Sequence, residues 1–295
     1  YWYKNQFYHK IYEYINMARE QKKTIVIAGA GFGGLHCARA IAKKLKSLDL
    51  TEKYRVLLID QNDYHTYTPT LYEAATTSEE VAGQLDLKRI ITFPLGESIN
   101  GLPIEFVKTK ITEIDVANGD IHTDTGTVIT FNYLVLALGS QSNYFGIPGL
   151  EENSLPLKTF IDALRVRERI LLLANDTEQR SLQIVVGGGG STGVEIAGEV
   201  KLWIELVNHR LASSVSIIEG TPTVLASFGE KIAAKVTKRL HKIGVQILTN
   251  EMIKSVSPGK ISLASGKQIP FDVFIWTGGV MPNRIMARLR MKQDE

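Results

Sequence analysis

The chain has 295 residues, of which 44% are hydrophobic and 22% charged, and its formal net charge at pH 7 is +3. This composition is typical of a globular protein, and the length allows two domains that each bury a core. The charge is small and scattered, so nucleic acid is not an expected partner. Cys37 is the only cysteine, which excludes an internal disulfide and a cysteine-based metal site. The six histidines lack ligand spacing, so no metal is expected.

The first predicted element is an amphipathic helix over residues 1–23. Phe7, Ile11 and Ile15 recur at the spacing of one helical face, and this face is expected to dock on the protein's own surface. The segment is too charged for a signal peptide, and no apolar run in the chain approaches the roughly 20 residues that span a bilayer.

A strand, a glycine-rich turn and a helix are predicted next, over "TIVIAGAGFGGLHCARAIAKKL". Residues 24–28 form the strand, and the helix runs from Leu35 to Leu45. In this setting Gly29 permits a tight turn, Gly31 lets the backbone approach a pyrophosphate, and Gly34 lets the helix pack on the strand. The helix start supplies free N–H groups and a positive dipole end for phosphates.

The same pattern occurs a second time, in "SLQIVVGGGGSTGVEIAGEV", with Gly188, Gly190 and Gly193 at the matching positions. Each glycine turn is followed by a helix and then by a strand that ends in an acid, Asp60 or Glu219, at the same distance along the chain. A carboxylate at this position accepts hydrogen bonds from the ribose of an adenosine. The pattern therefore predicts two dinucleotide sites.

The repetition continues downstream, where "GDIHTDTGTVITFNYLVLALGS" matches "GKISLASGKQIPFDVFIWTGGV" at a constant offset. Each stretch predicts a short antiparallel meander and then a buried strand that rejoins the parallel sheet. These strands end at Gly139 and Gly279, which are expected beside the bound nucleotides. The pairing of two dinucleotides that makes chemical sense is FAD with a nicotinamide cofactor, with a hydride passing between them.

The predicted fold is α/β, with tandem Rossmann-like dinucleotide-binding domains, the NAD domain inserted in the FAD domain and each with a small antiparallel meander. After the N-terminal helix, residues 24–150 are assigned to the first segment of the FAD domain and residues 151–279 to the NAD domain. Residues 280–295 are assigned to the start of the return to the FAD domain, whose remainder is expected to be missing. The linker "GIPGLEENSLPLKTF" leads into a helix over Thr159–Leu173.

Five stretches together carry a family resemblance: "IAGAGFGGLHCA", "LLIDQNDYHTYTPTLYEAA", "LVLALGSQSNYFGIPGL", "LKTFIDALRVRERI" and "VVGGGGSTGVEIAGEV". The arrangement resembles the flavoproteins of the pyridine nucleotide-disulfide oxidoreductase superfamily. Within them it is most similar to the type II, non-proton-pumping NADH:quinone oxidoreductases. The "YHTYTPTLYEAA" and "ALGSQSNYFGIPG" stretches are the ones most specific to the type II enzymes. The resemblance extends from Thr24 to about Asn283.

The resemblance implies that FAD binds the first half of the chain. Its pyrophosphate would meet the first glycine turn and Gly139, and its ribose would meet Asp60. Its adenine would meet the backbone near Lys110 and Ile111, and its isoalloxazine ring would meet the loop of residues 68–70. The residues implied are Gly29, Gly31, Gly34, Asp60, Thr68, Pro69, Thr70, Lys110, Ile111 and Gly139. His65 and Tyr67, which precede that loop, are expected to be structural.

The resemblance implies that NADH binds the second half, at Gly188, Gly190, Gly193, Glu219 and Gly279. Glu219 is followed by Gly-Thr-Pro with no adjacent arginine, and a carboxylate repels a 2′-phosphate, so NADH is favoured over NADPH.

Glu195 is the candidate catalytic residue, placed by sequence in the first turn of the second cofactor helix. It is expected to face the flavin–nicotinamide contact, orienting the nicotinamide and stabilising charge. The alternative is a helix N-terminal acid stabilised by the dipole.

The function implied is a respiratory NADH dehydrogenase that passes a hydride from NADH to FAD and then electrons to a quinone. Peripheral attachment to the cytoplasmic face of the cell membrane is expected through a C-terminal part not present, and a homodimer is left open. One alternative is an NADH-dependent reductase of a protein electron carrier such as ferredoxin or rubredoxin. Another is a nucleotide-responsive binding module with little turnover. Disulfide and sulfide chemistry is disfavoured because Cys37 cannot form a redox pair.

The family's later apolar strand, closed by Gly-Asp, has no counterpart. The Gly119–Asp120 pair is predicted to lie in a hairpin turn instead.

Overall fold

The computed structural model describes residues 22–77, 87–176 and 181–289. The helix predicted over residues 1–23 therefore lies outside the described residues, except for its last two positions. Contacts divide the chain into two compact units. The first unit comprises Tyr1–His65, Phe93–Gly139 and Pro282–Glu295, and the second comprises Thr66–Thr92 and Ser140–Met281.

The strands alternate with helices along most of the chain. In order they are β1 (Lys23–Ala28), β2 (Tyr54–Asp60), β3 (Tyr64–Thr66), β4 (Thr92–Pro94), β5 (Ile104–Lys108), β6 (Ile111–Asp115), β7 (Asp120–Thr123), β8 (Val128–Thr130), β9 (Tyr133–Leu136), β10 (Ser140–Ser142), β11 (Leu155–Pro156), β12 (Ser181–Gly187), β13 (Ala212–Ile218), β14 (Val245–Leu248), β15 (Ile253–Ser257), β16 (Lys260–Leu263), β17 (Gln268–Pro270), β18 (Val273–Trp276) and β19 (Val280–Pro282).

The α-helices of the described residues are α1 (Phe32–Ser47), α2 (Leu71–Thr76), α3 (Leu87–Ile91), α4 (Leu95–Ile99), α5 (Leu150–Asn153), α6 (Phe160–Ala174), α7 (Ser191–Val207), α8 (Glu230–Lys242) and α9 (Arg284–Ala287). Short 3₁₀ turns cover Thr68–Thr70 and Ala226–Phe228. None of the helices in these described ranges is long and apolar enough to cross a membrane.

The first unit is built on a parallel sheet in the order β5-β2-β1-β9. Its central strands are runs of Val, Ile and Leu, as expected for strands covered on both faces. The helix α1 covers one face, where Ile27, Ala38 and Leu58 are buried together. The antiparallel meander β6-β7-β8 covers the other face and buries Ile121 in one cluster with Ile59.

The second unit repeats this plan with a five-stranded parallel sheet in the order β11-β18-β12-β13-β14. Helices α2, α6 and α7 supply Ala75, Ile170 and Ile196 to the core of one face. The meander β15-β16-β17 covers the other face, where Ile261 and Phe274 belong to one buried cluster.

In the first unit, the helix α1 begins at Phe32, three residues before its predicted start, because the turn passes directly into the helix.

The prediction of a buried last strand holds in the second unit and is wrong in the first. In the second unit β18 lies between β11 and β12, and all four of its residues are buried. In the first unit β9 is the edge of the sheet, with Tyr133 49% exposed and the other three residues half-buried. The apolar sequence alone does not distinguish these cases, because burial depends on which strand lies alongside.

The contact division also differs from the predicted domain bounds, chiefly at residues 66–92. This segment belongs to the second unit because α2 buries Leu71, Ala74 and Ala75 in that unit's core. The assignment of one domain to FAD and the other to NAD stays a prediction.

Candidate functional site

Each unit has one glycine turn between a strand and a helix. We name them the first cradle (residues 29–34) and the second cradle (residues 188–193). Gly29 has φ = 103° and Gly188 has φ = 100°, and only glycine adopts this conformation without strain. The two turns therefore share the backbone geometry that their common spacing predicts.

In the first cradle, the carboxylate of Asp60 holds the turn in place. Its Oδ2 accepts a hydrogen bond from the amide of Ala30 at 2.7 Å, and its Oδ1 accepts one from the amide of Asn62 at 2.8 Å. A carboxylate offers about four lone-pair sites, so these two bonds leave capacity for a ribose hydroxyl.

In the second cradle, Glu219 makes the same two contacts. Its Oε2 accepts from the amide of Gly189 at 2.6 Å, and its Oε1 accepts from the amide of Thr221 at 2.7 Å. The match between the two acids is thus one of hydrogen bonding as well as of sequence position.

The last glycine of each cradle is a packing residue. A Cβ at Gly34 would lie 1.8 Å from the carbonyl oxygen of Gly29, and a Cβ at Gly193 would lie 1.9 Å from that of Gly188. Real Cβ atoms do not approach a backbone oxygen this closely. Each helix therefore packs directly on the backbone of its own turn.

The middle glycine of each cradle faces open space. A Cβ at Gly31 or at Gly190 would meet no atom within 4 Å. These glycines are the N-caps of α1 and α7, and neither helix has a side-chain cap or an acid in its first turn. Helix N–H groups without a side-chain partner favour an anion. The residues of both cradles fit a pyrophosphate.

Each unit has a second carboxylate that is fixed by hydrogen bonds. In the first unit Asp124, which follows β7, accepts from the hydroxyl of Thr109 at 2.9 Å and from the amide of Lys110 at 3.1 Å, and these bonds lower its pKa. In the second unit Glu251, which lies between β14 and β15, accepts from the Lys267 ammonium at 2.8 Å, and this bond, together with one from a serine hydroxyl, lowers the pKa of the Glu251 carboxyl.

A cavity of about 330 Å³ lies within the second unit. It brings together two residues predicted near the flavin, the candidate catalytic acid and Gly279, which follows β18. Its lining residues are Thr68, Pro69, Leu71, Tyr72, Ser142, Leu157, Lys158, Ser191, Thr192, Glu195, Trp276, Thr277, Gly279 and Val280.

Glu195 is the fifth residue of α7, so the prediction that it lies in the first helical turn is wrong. The turn of the second cradle ends earlier than the sequence predicts, because the helix already starts at Ser191. The dipole effect falls off within the first turn, which weakens the purely helix-stabilising interpretation. Partial burial raises the pKa of the Glu195 carboxyl.

Lys158 reaches the cavity from the start of α6. The side chain of Asp162 accepts from the amides of Lys158 at 3.2 Å and Thr159 at 2.8 Å, while the hydroxyl of Thr159 accepts from the amide of Asp162. This capping box fixes the main chain where the helix begins.

Gly279 lines the cavity, and a side chain there would require the exposed ring of Phe145 to move. A Cβ there would lie 2.6 Å from the ring of Phe145, a non-glycine residue with φ = 52°. The indole N–H of Trp276 donates to the carbonyl of Asn143 at 2.9 Å. The backbone at this end of the cavity is therefore closely fixed.

The remaining predicted residues lie in different settings. Thr70 does not line the cavity, and its hydroxyl donates to Tyr67 O at 3.2 Å. The amide of Lys110 is bonded to Asp124, and the side chain of Ile111 is buried in the core. Gly139 has φ = 67°, and a Cβ there would meet no atom within 4 Å.

Arg167 makes contacts that join the three helices α2, α6 and α7. Arg167 on α6 is buried, donates to the carbonyl of Thr77 after α2, and lies over the ring of Trp203 on α7 at 5.3 Å. A buried guanidinium with these contacts joins the three helices α2, α6 and α7. Sequence analysis did not single it out.

His65, which contacts the first cradle, has a structural setting. His65 is buried, with Nδ1 3.2 Å from Ala30 O and its ring 4.6 Å from that of Phe32. This agrees with the structural role predicted for it. Cys37 on α1 is half-buried.

Tyr72 and Lys158 are the cavity residues of chemical interest that sequence reasoning missed. Tyr72 follows the flavin-proximal stretch, and burial raises its pKa above the usual range, with Glu73 and Glu195 adding to the shift. The predicted helix over Thr159–Leu173 already put Lys158 directly before a helix, but no local sequence signal indicates that this helix start borders the cavity.

Residues 23–295 match the family described as pyridine nucleotide-disulphide oxidoreductase. The chain is 27% identical, over 301 residues, to the type II NADH:quinone oxidoreductase of Staphylococcus saprophyticus, covering 94% of this chain and 72% of that protein. It is 28% identical to the mitochondrial external alternative NADH-ubiquinone oxidoreductase of Yarrowia lipolytica, covering 93% of this chain and 50% of that protein.

Among solved structures, the chain resembles NDH2 from Plasmodium falciparum in complex with NADH. The TM-score is 0.74 with 24% sequence identity, covering 90% of this chain and 56% of that one. The chain thus spans little more than half of this neighbour. The likeness confirms the predicted α/β fold with parallel sheets, and the relatives confirm the predicted resemblance. The match over residues 23–295 shows that the chain belongs to the pyridine nucleotide-disulphide oxidoreductase family.

Proposed function

We propose that the protein is an FAD-dependent oxidoreductase that takes a hydride from NADH and passes the electrons to a quinone. The observation that carries the proposal is the duplicated cradle. Two turns with the same φ, the same pair of carboxylate hydrogen bonds and the same uncapped helix start occur in one chain. The similarity to type II NADH:quinone oxidoreductases supports the choice of the two dinucleotides.

The first cradle is proposed to hold FAD. Gly31 gives the pyrophosphate access to the start of α1, and Gly34 keeps that helix close to the turn. The ribose hydroxyls are proposed to bond Asp60. The remaining proposed contacts are the turn glycine Gly29, Gly139, the backbone at Lys110 and Ile111, and the loop of Thr68, Pro69 and Thr70.

The second cradle is proposed to hold NADH. Gly190 gives its pyrophosphate access to the start of α7, where Gly188 and Gly193 shape the turn. Glu219 accepts from the ribose hydroxyls and repels a 2′-phosphate, which favours NADH over NADPH. Bound FAD supplies the two-electron acceptor for the hydride of NADH and the donor for a quinone.

The cavity of the second unit is proposed to receive the nicotinamide end. Glu195 orients that ring and stabilises developing charge, and Gly279 lets the backbone come close. The apolar side chains of Leu71 and Trp276 line the same space and exclude water. No proton is required at the carbon that transfers the hydride, so Glu195 acts by position and charge.

The acceptor and the location are proposed from the relatives. The names of the staphylococcal and Yarrowia enzymes specify quinone acceptors. Because quinones with long tails dissolve in the bilayer, the protein is proposed to attach peripherally to the membrane. The proposal also assigns residues 24–150 to FAD binding and residues 151–279 to NAD binding.

An anaerobic absorbance titration tests the proposal. The purified protein should show flavin bands that bleach on addition of NADH and return when a soluble quinone is added. Gly190→Trp should keep the flavin bands and lose the bleaching, because the side chain enters the space next to α7. Flavin bands that NADH does not bleach contradict the proposal. Reoxidation by a ferredoxin-like carrier and not by quinone favours a carrier reductase, and nucleotide binding without bleaching favours a binding module.

A further inference from the structure

Two opposite charges line the cavity of the second unit without pairing with each other. Glu195 comes from α7 and Lys158 from the start of α6. Within the part of the chain that the structure describes, the Lys158 ammonium and the Glu195 carboxylate have no hydrogen bond or ion pair. Glu195 is exposed and Lys158 is half-buried, so both charged ends are open to a group that enters the cavity. Opposite charges on one cavity wall suit a ligand that presents both an acceptor and a donor.

The main chain that carries Lys158 is rigid. The amides of Lys158 and Thr159 both donate to Asp162, and Leu157, which also lines the cavity, is buried. Lys158 itself is half-buried. Its ammonium can therefore move only on its own four-carbon stem, with a fixed origin at the cavity wall.

The chemistry of the two groups defines what they can bind together. An ammonium only donates hydrogen bonds and a carboxylate only accepts them. A neutral group that satisfies both must present an acceptor and a donor side by side, as a primary carboxamide does. The hydroxyls of Ser142, Ser191 and Thr192, which also line the cavity, both donate and accept and so do not set the orientation.

We propose that Lys158 is a specificity-determining residue that donates to the carboxamide oxygen of the nicotinamide, while Glu195 accepts from the carboxamide nitrogen. The inference rests on the proposed function, since it assigns the nicotinamide to this cavity. It adds a second anchor to the ring, from the segment that leads into α6, whereas Glu195 lies on α7. Two anchors on the same substituent fix which face of the ring is presented.

A binding experiment with two oxidised dinucleotides tests the proposal without turnover. One is NAD, and the other is its analogue with an acetyl group in place of the carboxamide, which keeps the carbonyl oxygen and lacks the amide hydrogens. Lys158→Met should weaken the binding of both by about 10- to 100-fold, as expected for the loss of a charged hydrogen bond. Glu195→Ala should weaken the binding of NAD alone.

Lys254→Met is the matched control, because this exposed lysine lies in the second unit outside the cavity. It should bind both nucleotides as the wild type does. Lys158→Arg retains a donor and should restore affinity to within a few-fold, which separates the contact from a folding defect.

Wild-type affinity of Lys158→Met for NAD overturns the contact while leaving the proposed function intact. Failure of the arginine variant to restore affinity, with its melting temperature unchanged, also overturns it. A wild-type protein that binds neither nucleotide overturns the proposed function and this contact together.

Discussion

The two units form the same cradle on sheets that differ at the next strand. In the second unit β18 is enclosed by β11 and β12, whereas in the first unit β9 pairs only with β1 among the residues that the structure describes. Yet the turn φ angles differ by only a few degrees, and both acids make the same two hydrogen bonds. Cradle geometry is therefore a local property of the turn, the helix start and the acid. It does not depend on how many strands lie beyond.

The units also differ in what surrounds the cradle. In the second unit, residues 66–77 pack on α6 and α7 and supply four residues to the cavity wall. Helix α7 carries Glu195 at the position where α1 carries His36. Duplication of the cradle therefore did not produce two equivalent sites. The four predictions below test the shared part first and then the differences.

The largest effect is expected at the packing glycines. Gly34→Ala and Gly193→Ala each place a Cβ within 2 Å of a carbonyl oxygen of the turn, and backbone cannot yield without breaking the cradle. We expect each to lower the free energy of unfolding by about 5 kcal/mol or more, enough to unfold the unit. Thermal unfolding followed by circular dichroism measures this.

The matched controls are Gly31→Ala and Gly190→Ala, where the added methyl meets no atom within 4 Å. They should cost no more than about 1 kcal/mol while reducing binding of the dinucleotide of their own unit. Equal stability losses for the packing glycines and the controls would disprove the assignment of separate roles.

The cradles were predictable because their determinants are local in sequence. About 35 residues of sequence contain the glycine spacing, the helix that follows and the acid at the end of the next strand. Because the same pattern occurs twice at the same spacing, it does not arise by chance. The edge position of β9 was not predictable, because it depends on which distant strand pairs beside it. Lys158 and Tyr72 reach the cavity only through packing of α2 and α6 against α7.

The difference between the edge strand β9 and the enclosed strand β18 should appear as unequal losses of unfolding free energy for the same Val→Ala substitution. Val273→Ala in β18 removes two buried methyl groups, and we expect a loss of about 2.5 kcal/mol. Val135→Ala in β9 removes half-buried ones and should cost about 1 kcal/mol. Chemical denaturation of the two variants measures both values. If Val135→Ala costs as much as Val273→Ala, then β9 is as enclosed in solution as β18.

The two acids should differ in which nucleotide responds to them. Glu219→Gln removes the negative charge that faces a 2′-phosphate, so the preference for NADH over NADPH should fall by about tenfold, or about 1.4 kcal/mol. Asp60→Asn should lower flavin retention and leave that preference unchanged. Dissociation constants for NADH and NADPH, measured beside the flavin-to-protein ratio, check both. A change of preference in Asp60→Asn would exchange the proposed assignments of the cradles.

The smallest effect is expected from Glu195, which has no acidic counterpart in α1. Burial raises the pKa of its carboxyl, so the folded chain holds this proton at a pH where the unfolded chain has lost it. Stability should therefore decrease as pH rises from the unfolded pKa, about 4.3, through the folded one. The effect is small because the residue is exposed and solvent screens the charge.

Glu195→Gln should have the same melting temperature as the wild type at acid pH and a higher one towards neutral pH. Glu199→Gln, exposed on the same helix outside the cavity, provides the charge-matched control. If the difference between wild type and Glu195→Gln does not change with pH, burial does not penalise this carboxylate.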